Sequence, residues 1–360
     1  MKFKKLFIPG PTEVRKDVLE RVGWPMISHR GSDFVEFFNN LTPKLKKLLA
    51  TKDYVFVSTS ASTGVMEGAI LNCVAKRCLN VTCGAFGERW HGITLACGHK
   101  ADILQSEEWG KANRVEDVDK ALATGKYDAM TMQINETSTG IMNDYRAFGE
   151  MMKKYPDVMF LVDAVSAMAA VEINVDELGM DVCLAGVQKA FAVPPGITVF
   201  SVSEKAMEKS KKAKRKGYYF DFVEFKAYLD KGQTPTTPAI SLLYGLDYKM
   251  DQMFAEGLEN RYRRHVEMAE FTRAWAKDRF DTFAEPGYES VTLTTVRNSR
   301  AISVADMSKF LASKYALQMA NGYGKLKEKT FRIGHMGDLT LEEVKDLLSK
   351  IDEYLGVKTG

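Results

Sequence analysis

The sequence is poor in cysteine and has no long hydrophobic run. Its five cysteines are an odd number without regular spacing, which favours reduced thiols in the cytoplasm over a disulfide framework. No apolar run approaches the roughly 18 to 20 residues of a membrane helix. The N-terminal segment MKFKKLFIPG has too few apolar residues for a signal peptide. We therefore expect a cytoplasmic protein without a membrane partner.

The sequence also lacks a dominant charge. Its 50 basic and 47 acidic residues give a net charge of +3, which provides no overall field to hold nucleic acid. One basic block, KAMEKSKKAKRK at residues 205–216, contains no aromatic residue that would stack on bases, so a solvated helix or loop is favoured. A nucleic-acid partner is not expected.

The sequence does contain the pattern of an α/β protein. Hydrophobic residues make up 45% and charged residues 27%, which is typical of a globular chain, and 360 residues suffice for two domains. Alternating apolar runs and helix-compatible stretches indicate βαβ units and a sheet covered on both faces; the runs are residues 54–57, 79–83, 128–134, 158–162, 181–185 and 197–202. We expect an N-terminal arm over residues 1–15, a large domain over 16–255 and a smaller α+β domain over 256–360.

A turn rich in hydroxyl groups follows the first apolar run. The segment STSASTG, residues 58–64, leads into VMEGAILNCV, whose apolar residues have helical spacing. Free backbone N–H groups and the helix dipole make such a helix N-terminus an anion site, most naturally for phosphate. The alternative is that these Ser and Thr residues are ordinary helix N-caps, which is the commoner case for an isolated motif.

An acid and a lysine stand near the ends of two later runs. Asp163 directly follows five apolar residues, and Lys189 comes four residues after the run that ends at residue 185. Ligands of open α/β sheets bind beyond the carboxyl ends of the strands, and a desolvated lysine has a lowered pKa and acts as a nucleophile. Taken singly, each residue is more often a strand-end side chain that reaches the surface.

Together these three features match one cofactor. Pyridoxal phosphate needs an anion site, an acid paired with its ring nitrogen, and a lysine that forms a Schiff base with its aldehyde. The glycine motifs G-x-G-x-x-G and G-x-x-x-x-G-K-[ST], typical of nicotinamide enzymes and nucleotide triphosphatases, are absent.

The sequence resembles the class V aminotransferases, which include alanine:glyoxylate, serine:glyoxylate and phosphoserine aminotransferases. Eight motifs occur in the family's order over nearly the whole chain: PGPT, STSASTGVMEGA, GAFGER, INETSTG, VDAVSAM, AGVQKAF, TPTTPAIS and FRIGHMG. The resemblance implies the type I fold of pyridoxal-phosphate transferases, with a mainly parallel seven-stranded sheet, helices on both faces and a smaller C-terminal α+β domain. It also implies pyridoxal 5'-phosphate as cofactor, no metal ion, and a homodimer whose sites are shared across the interface.

The resemblance further implies a role for each site residue. Lys189 is expected at the cofactor's C4′ carbon, Asp163 at its ring nitrogen, and Arg332 at the substrate α-carboxylate, which a guanidinium holds with two hydrogen bonds. A surface ion pair is the alternative for Arg332. The other expected cofactor contacts are Phe86 as a stacking ring, Ser60, Ala61, Ser62 and Thr63 at the phosphate, Thr137, Val165 and Gln188 at the ring or phosphate, and one of Gln233, Thr234 and Thr236 at the phosphate of the partner subunit.

The implied reaction moves an amino group from a small 2-amino acid, of the alanine or serine type, to a 2-keto acid such as glyoxylate or pyruvate. Phosphoserine ranks second: His29 and Arg30 in SHRGSDF resemble a pair that contacts substrate phosphate, but the second His-Arg pair of that branch is absent. A cysteine desulfurase needs a thiol on a late loop, and the last cysteine here is Cys183. A regulator that binds the cofactor without turnover is the remaining alternative, and the intact set of Lys, Asp and Arg gives no reason to prefer it.

Overall fold

The computed structural model describes residues 3–357. The strands are β1 (Lys5–Phe7), β2 (Tyr54–Ser58), β3 (Arg77–Thr82), β4 (Lys100–Gln105), β5 (Ala129–Gln133), β6 (Asn135–Glu136), β7 (Ile141–Met142), β8 (Met159–Asp163), β9 (Val182–Gly186), β10 (Thr198–Val202), β11 (Leu293–Arg297), β12 (Leu317–Asn321) and β13 (Thr330–Gly334). The helices are α1 (Lys16–Val22), α2 (Ser32–Leu49), α3 (Ser62–Cys73), α4 (Ala85–Ala96), α5 (Val115–Leu122), α6 (Tyr145–Met152), α7 (Glu204–Lys212), α8 (Phe222–Leu229), α9 (Ile240–Glu256), α10 (Leu258–Arg279), α11 (Val304–Phe310) and α12 (Leu341–Tyr354). A π-helical turn spans Leu311–Tyr315 and a 3-10 turn spans Gly324–Leu326.

Seven strands form the larger sheet, in the order β2-β10-β9-β8-β5-β3-β4. The strands from β9 to β4 pair in parallel, whereas β10 is antiparallel to both of its neighbours, β9 and β2. The predicted α/β class with a mainly parallel seven-stranded sheet is therefore confirmed.

Both faces of this sheet are buried. In β8, Phe160 and Val162 belong to one hydrophobic core, and Met159 and Leu161, which alternate with them, belong to the other. Alternate residues of a strand face opposite sides of its sheet, so the continuous apolar run follows from having helices on both faces. A polar residue at the end of such a strand, such as Asp163, therefore cannot turn to solvent on either face.

Two details of the sheet differ from the sequence pattern. The strand β4 was not predicted, because it lies at the sheet edge and its partly exposed residues form no apolar run. The run at residues 197–202 was predicted within a βαβ repeat, yet β10 is antiparallel. Only a loop without a helix links β9 to β10, and a parallel crossover needs a longer connection, usually a helix.

A second sheet has the order β1-β12-β13-β11, with β1 parallel to β12 and the other pairs antiparallel. It packs with α10, α11 and α12 around its own hydrophobic core. The N-terminal arm thus supplies a strand to the sheet built mainly from C-terminal residues. The predicted limits at residues 16 and 256 fall at the first residue of α1 and the last residue of α9, and the division into domains stays a prediction; residues 1, 2 and 358–360 lie outside the described residues.

The basic block begins in α7, which buries Ala206, Met207 and Ser210 and exposes most of its charged residues. Ser203 caps this helix by accepting a hydrogen bond from the Ala206 backbone N–H. Lys205 pairs with Asp181 at 2.7 Å and Lys209 pairs with Asp128 at 3.0 Å. These two acids immediately precede β9 and β5, so part of the block neutralises carboxylates at the strand starts. Within residues 3–357, no helix combines the length and apolar character that a membrane crossing requires.

Candidate active site

A cavity of about 220 Å³ opens at the carboxyl ends of β8 and β9. It joins a second cavity of about 350 Å³, and Phe86, Thr137 and Lys189 line both. Asp163 of β8 and residues of the helices and loops that follow the strands of the large sheet line the first cavity, whereas β12, β13 and the N-terminal segment supply most of the lining of the second. The site therefore lies where the two sheets meet.

Asp163 ends β8 and is only 3% exposed. Burial raises the pKa of its carboxyl to about 6. The carboxylate accepts hydrogen bonds from the Val165 backbone N–H at 2.9 Å and from Trp90 Nε1 at 3.4 Å. These are the hydrogen-bond partners that its burial leads us to expect, and the surface-reaching alternative for Asp163 is wrong.

Lys189 is half-buried and lies in the loop between β9 and β10. Desolvation lowers the pKa of its amine to about 8, although the charge of Asp163 acts in the opposite direction. Its Nζ donates to the Pro9 carbonyl oxygen. About a tenth of this amine is therefore neutral at pH 7, far more than of an ordinary lysine, and the neutral amine is the nucleophilic form.

Residues distant in sequence hold the backbone of the Lys189 loop. The carbonyl oxygen of Gln188 accepts from Thr12 N at 2.9 Å, and that of Lys189 accepts from Thr12 Oγ1 at 2.9 Å. The carbonyl oxygen of Ala190 accepts from Arg261 Nη2 at 2.5 Å. The N-terminal arm and α10 thus fix the position of the loop.

Glycine is required at position 10, where the N-terminal arm passes the lysine. Gly10 has a φ of +113°, and a Cβ at this position would lie 2.5 Å from Lys189 Cδ. A larger residue would displace the amine from the cavity.

The hydroxyl-rich turn leads into α3, which begins at Ser62. The N-cap is Ala61 and no side chain caps the helix, so the ordinary N-cap alternative is wrong. The buried Ser62 Oγ has no hydrogen-bond partner among the described residues. A Cβ on Gly186 would lie 2.6 Å from this hydroxyl and 2.5 Å from Gln188 Oε1. A side chain at position 186 would therefore fill the space beside the Ser62 hydroxyl. An unused hydroxyl at a helix N-terminus, with space kept open beside it, fits a phosphate group.

Glu136 fixes the N-terminus of α4, which carries Phe86. Its buried carboxylate accepts from the backbone N–H groups of Phe86 at 2.9 Å and Gly87 at 3.1 Å. Burial raises the pKa of this carboxyl, while hydrogen bonds from Ser138 favour its charged form. Glu136 therefore orients the Phe86 ring at the junction of the two cavities.

Arg332 lies in β13 and is half-buried beside the second cavity. Its Nε donates to the Asn321 carbonyl oxygen at 3.1 Å, and its Nη1 donates to the Thr137 carbonyl oxygen at 3.2 Å. Burial lowers the pKa of this guanidinium, and it forms no ion pair within residues 3–357. Two carbonyls therefore orient a cation that still has donors available for a ligand.

The structure brings most, but not all, of the predicted site residues together. The first cavity is lined by Ala61, Ser62, Thr63, Phe86, Thr137, Asp163, Val165, Gln188 and Lys189, and Arg332 lines the second. Six predicted residues line neither cavity within one chain: His29, Arg30, Ser60, Gln233, Thr234 and Thr236. The functional roles of all sixteen residues stay predictions.

Several residues of the site were not predicted. In the first cavity they are Met66, Arg89, Asn135 and Ser166, and the second is also lined by Ile8, Pro9, Gly10, Gln318, Met319, Ala320, Asn321 and Tyr323. Asn135 can be recognised in the structure as a candidate ligand contact, because its buried Oδ1 has no hydrogen-bond partner in the described part of the chain. The residues of β12 follow from the pairing of β12 with β13, which the sequence pattern does not specify.

Comparison with known proteins gives the family. Residues 20–323 match the family described as Aminotransferase class-V. The chain is 38% identical to an uncharacterized aminotransferase from Methanocaldococcus jannaschii, over 97% of this chain and 92% of that protein. It is 33% identical to a serine–glyoxylate aminotransferase from Hyphomicrobium methylovorum, over 93% of this chain and 85% of the relative. The solved structure of a ureidoglycine–glyoxylate aminotransferase from Bacillus subtilis superposes with a TM-score of 0.92, at 25% identity, over 100% of this chain and 96% of that one.

The chain belongs to the class V aminotransferases. Its fold is that of pyridoxal-phosphate transferases, it is a transaminase, and its cofactor is pyridoxal 5'-phosphate. The open space beside Ser62, the buried Asp163 and the desolvated Lys189 fit the phosphate, ring nitrogen and aldehyde of this cofactor.

The lowered pKa of Lys189 predicts how attachment of the cofactor depends on pH. The neutral amine is the nucleophile, so below about pH 8 the rate of attachment to cofactor-free protein should rise roughly tenfold per pH unit and then level off. The rate is measured by borohydride reduction at timed intervals, followed by mass spectrometry of the peptide that contains Lys189. Lys189→Ala is the control, and the corresponding peptide should carry no covalently attached cofactor. A rate that keeps rising towards pH 10 would show an ordinary, solvated lysine.

Proposed function

We propose that the chain transfers an amino group from a small 2-amino acid, of the alanine or serine type, to a 2-keto acid such as glyoxylate or pyruvate. One observation carries the proposal: a cavity lined by Lys189 and Asp163 joins a cavity lined by Arg332, a guanidinium oriented by backbone carbonyls. A carboxylate held by Arg332 lies beside the lysine, which is the arrangement that a 2-amino acid requires. The glyoxylate-dependent relatives support this choice of keto acid.

Three residues have distinct tasks in the proposed mechanism. When bound, pyridoxal phosphate supplies an aldehyde that condenses with amines and a protonated ring that withdraws electrons from the substrate Cα. Asp163 keeps the proton on the ring nitrogen through its carboxylate. Arg332 orients the substrate by its carboxylate, and the Lys189 amine removes the proton from the substrate Cα as a general base.

The mechanism also needs a lysine that returns to one position in each turnover. The loop carbonyls bonded to Thr12 and Arg261 support this, because they fix the backbone while the side chain of Lys189 moves. Gly10 leaves room for that movement.

Phosphoserine remains the second candidate substrate, through His29 and Arg30. Within one chain, Arg30 donates to Gln233 Oε1 at 3.1 Å, to the Thr234 carbonyl oxygen at 2.7 Å and to the Pro235 carbonyl oxygen at 3.0 Å. These bonds support a role for Arg30 in holding the 233–235 segment. We therefore keep the unphosphorylated substrate first.

A desulfurase function is disfavoured by the position of the thiols. Cys183 is buried inside β9, and burial raises its pKa, so it supplies no accessible thiolate. No cysteine lines either cavity within the described residues.

All five cysteines are unpaired, and four are buried, which supports our proposal of a reducing, cytoplasmic compartment.

We also propose a homodimer in which Thr236 reaches the phosphate of the partner subunit. Thr234 is buried and its Oγ1 already donates to the Thr236 carbonyl oxygen, and Gln233 already accepts from Arg30. The Thr236 side chain is half-buried, and its hydroxyl is not hydrogen-bonded within residues 3–357. Gln233 also keeps free amide donors, so Thr236 is favoured as the one of the three candidates whose side chain makes no hydrogen bond within residues 3–357.

Arg332→Lys should lower kcat/KM for every amino and keto acid by roughly 10- to 100-fold, because a lysine cannot form the two-point bond to the shared carboxylate. The measurement is a panel of alanine, serine and phosphoserine with glyoxylate, pyruvate and 2-oxoglutarate. Arg273→Lys is a matched control, since Arg273 also donates to a backbone carbonyl but lies outside both cavities. His29→Ala should affect only phosphoserine. Unchanged kinetics in Arg332→Lys would remove Arg332 from the site, and inactivity of the wild type across the panel would contradict the proposed function.

Two inactive variants should complement each other if Thr236 acts across the dimer. Lys189→Ala lacks the amine, and Thr236→Glu places a negative charge beside the phosphate. In a mixed dimer one site carries both changes and the other has wild-type composition. Random exchange of equal amounts should therefore restore roughly a quarter of wild-type activity, measured after co-refolding. Mixed dimers that form but stay inactive would show that Thr236 does not serve the partner's site.

A further inference from the structure

The first cavity contains a cation that the proposed mechanism does not use. Arg89 of α4 is half-buried and lines this cavity together with Asp163 and Lys189. Its guanidinium lies over the Phe86 ring, 4.7 Å from the centroid, and its Nη2 donates to the Tyr323 hydroxyl at 3.2 Å. No acidic side chain within residues 3–357 forms an ion pair with it.

The other charged groups of the site all have a counterpart in the cofactor or the α-carboxylate. Lys189 attaches to the aldehyde, Asp163 pairs with the ring nitrogen, and Arg332 takes the α-carboxylate. The cofactor phosphate is assigned to the N-terminus of α3. A guanidinium has five N–H donors, and Arg89 uses one of them within the described residues. A partly desolvated cation without a counter-ion is costly, so a bound anion would stabilise it.

The guanidinium groups of Arg89 and Arg332 both contact the side chain of Tyr323. Arg89 bonds to the hydroxyl of Tyr323, and the Arg332 Cζ lies 5.4 Å from the centroid of the Tyr323 ring. The Tyr323 and Phe86 rings have centroids 5.5 Å apart; both rings line the second cavity, and Phe86 also lines the first. A short acid with an anionic group at each end would therefore meet one guanidinium at each end.

We propose that Arg89 binds a second anionic group, carried on the side chain of one of the two substrates of the transaminase. That substrate is a small 2-amino or 2-keto acid with a distal carboxylate or phosphate. The inference rests on the proposed function, since it assigns the α-carboxylate to Arg332. Arg89 then determines specificity for one half-reaction, while an acid without a distal charge, such as alanine or serine or else glyoxylate or pyruvate, serves the other.

The test compares three unreactive acids that differ only in their terminal group: butyrate, succinate and 3-phosphonopropionate. Their binding to the cofactor-loaded enzyme is measured by calorimetry. The wild type should bind succinate or 3-phosphonopropionate at least about tenfold more tightly than butyrate. The tighter of the two identifies the distal group as carboxylate or phosphate. Arg89→Gln should remove this preference and leave butyrate binding unchanged, which also shows that the variant is folded.

Two further variants separate a specific contact from a general effect of charge. Arg89→Lys keeps one charge without the planar pair of donors, so it should retain only part of the preference. Lys325→Gln removes an exposed cation that lies over Trp109, on the same loop as Tyr323. It should leave the preference within about twofold of the wild type, because solvated charges interact weakly.

Equal binding of the three acids by the wild type would overturn the inference. A preference that survives in Arg89→Gln, or one that is lost equally in Lys325→Gln, would also overturn it. Transamination between alanine or serine and glyoxylate is assayed on the same preparations. If that activity is present while the three acids bind equally, the role of Arg89 fails and the proposed function stands. If no pair of substrates reacts, the proposed function itself fails.

Discussion

The burial of a carboxylate and an amine in one cavity is the constraint on which the rest of the site depends. Asp163 and Lys189 are both desolvated, so the pKa of the acid rises to about 6 and that of the amine falls to about 8. They form no ion pair with each other among the described residues, and neither charge is fully compensated by the protein alone. In the proposed mechanism pyridoxal phosphate compensates both, because it offers a protonated ring nitrogen to the acid and an aldehyde to the amine.

The two sheets together place these groups around one site. The larger sheet supplies Asp163 and the loop with Lys189, while the smaller sheet supplies Arg332. The N-terminal arm connects them, since β1 pairs with β12 and Thr12 bonds the lysine loop. Arg261 adds a buried link, because it bonds the Ala190 carbonyl oxygen and also pairs with Asp338, beyond the end of β13. A displacement of either sheet would therefore move the Lys189 amine relative to the Arg332 guanidinium.

The sequence predicts those parts of the site whose physical reason is local. Asp163 was identifiable because a carboxylate directly after a buried strand is costly, and Ser62 because hydroxyls precede a helical pattern. Arg89 was missed because its helical position alone does not distinguish it from a solvated surface residue; its place beside Tyr323 depends on how the two sheets pack. The direction of β10 and the existence of β4 were missed for a similar reason, since strand pairing is a tertiary property. The role proposed for Thr236 would require a second chain.

The protonation state of the cofactor's ring nitrogen is the direct test of the role proposed for Asp163. Nuclear magnetic resonance of isotope-labelled pyridoxal phosphate reports this proton in wild-type enzyme and in Asp163→Asn, in which the side chain keeps a similar shape but loses its charge. We expect a protonated nitrogen in the wild type near neutral pH and an unprotonated one in Asp163→Asn, with little change in thermal stability. A nitrogen that stays protonated in Asp163→Asn, or one that lacks the proton in the wild type, would contradict the role proposed for Asp163.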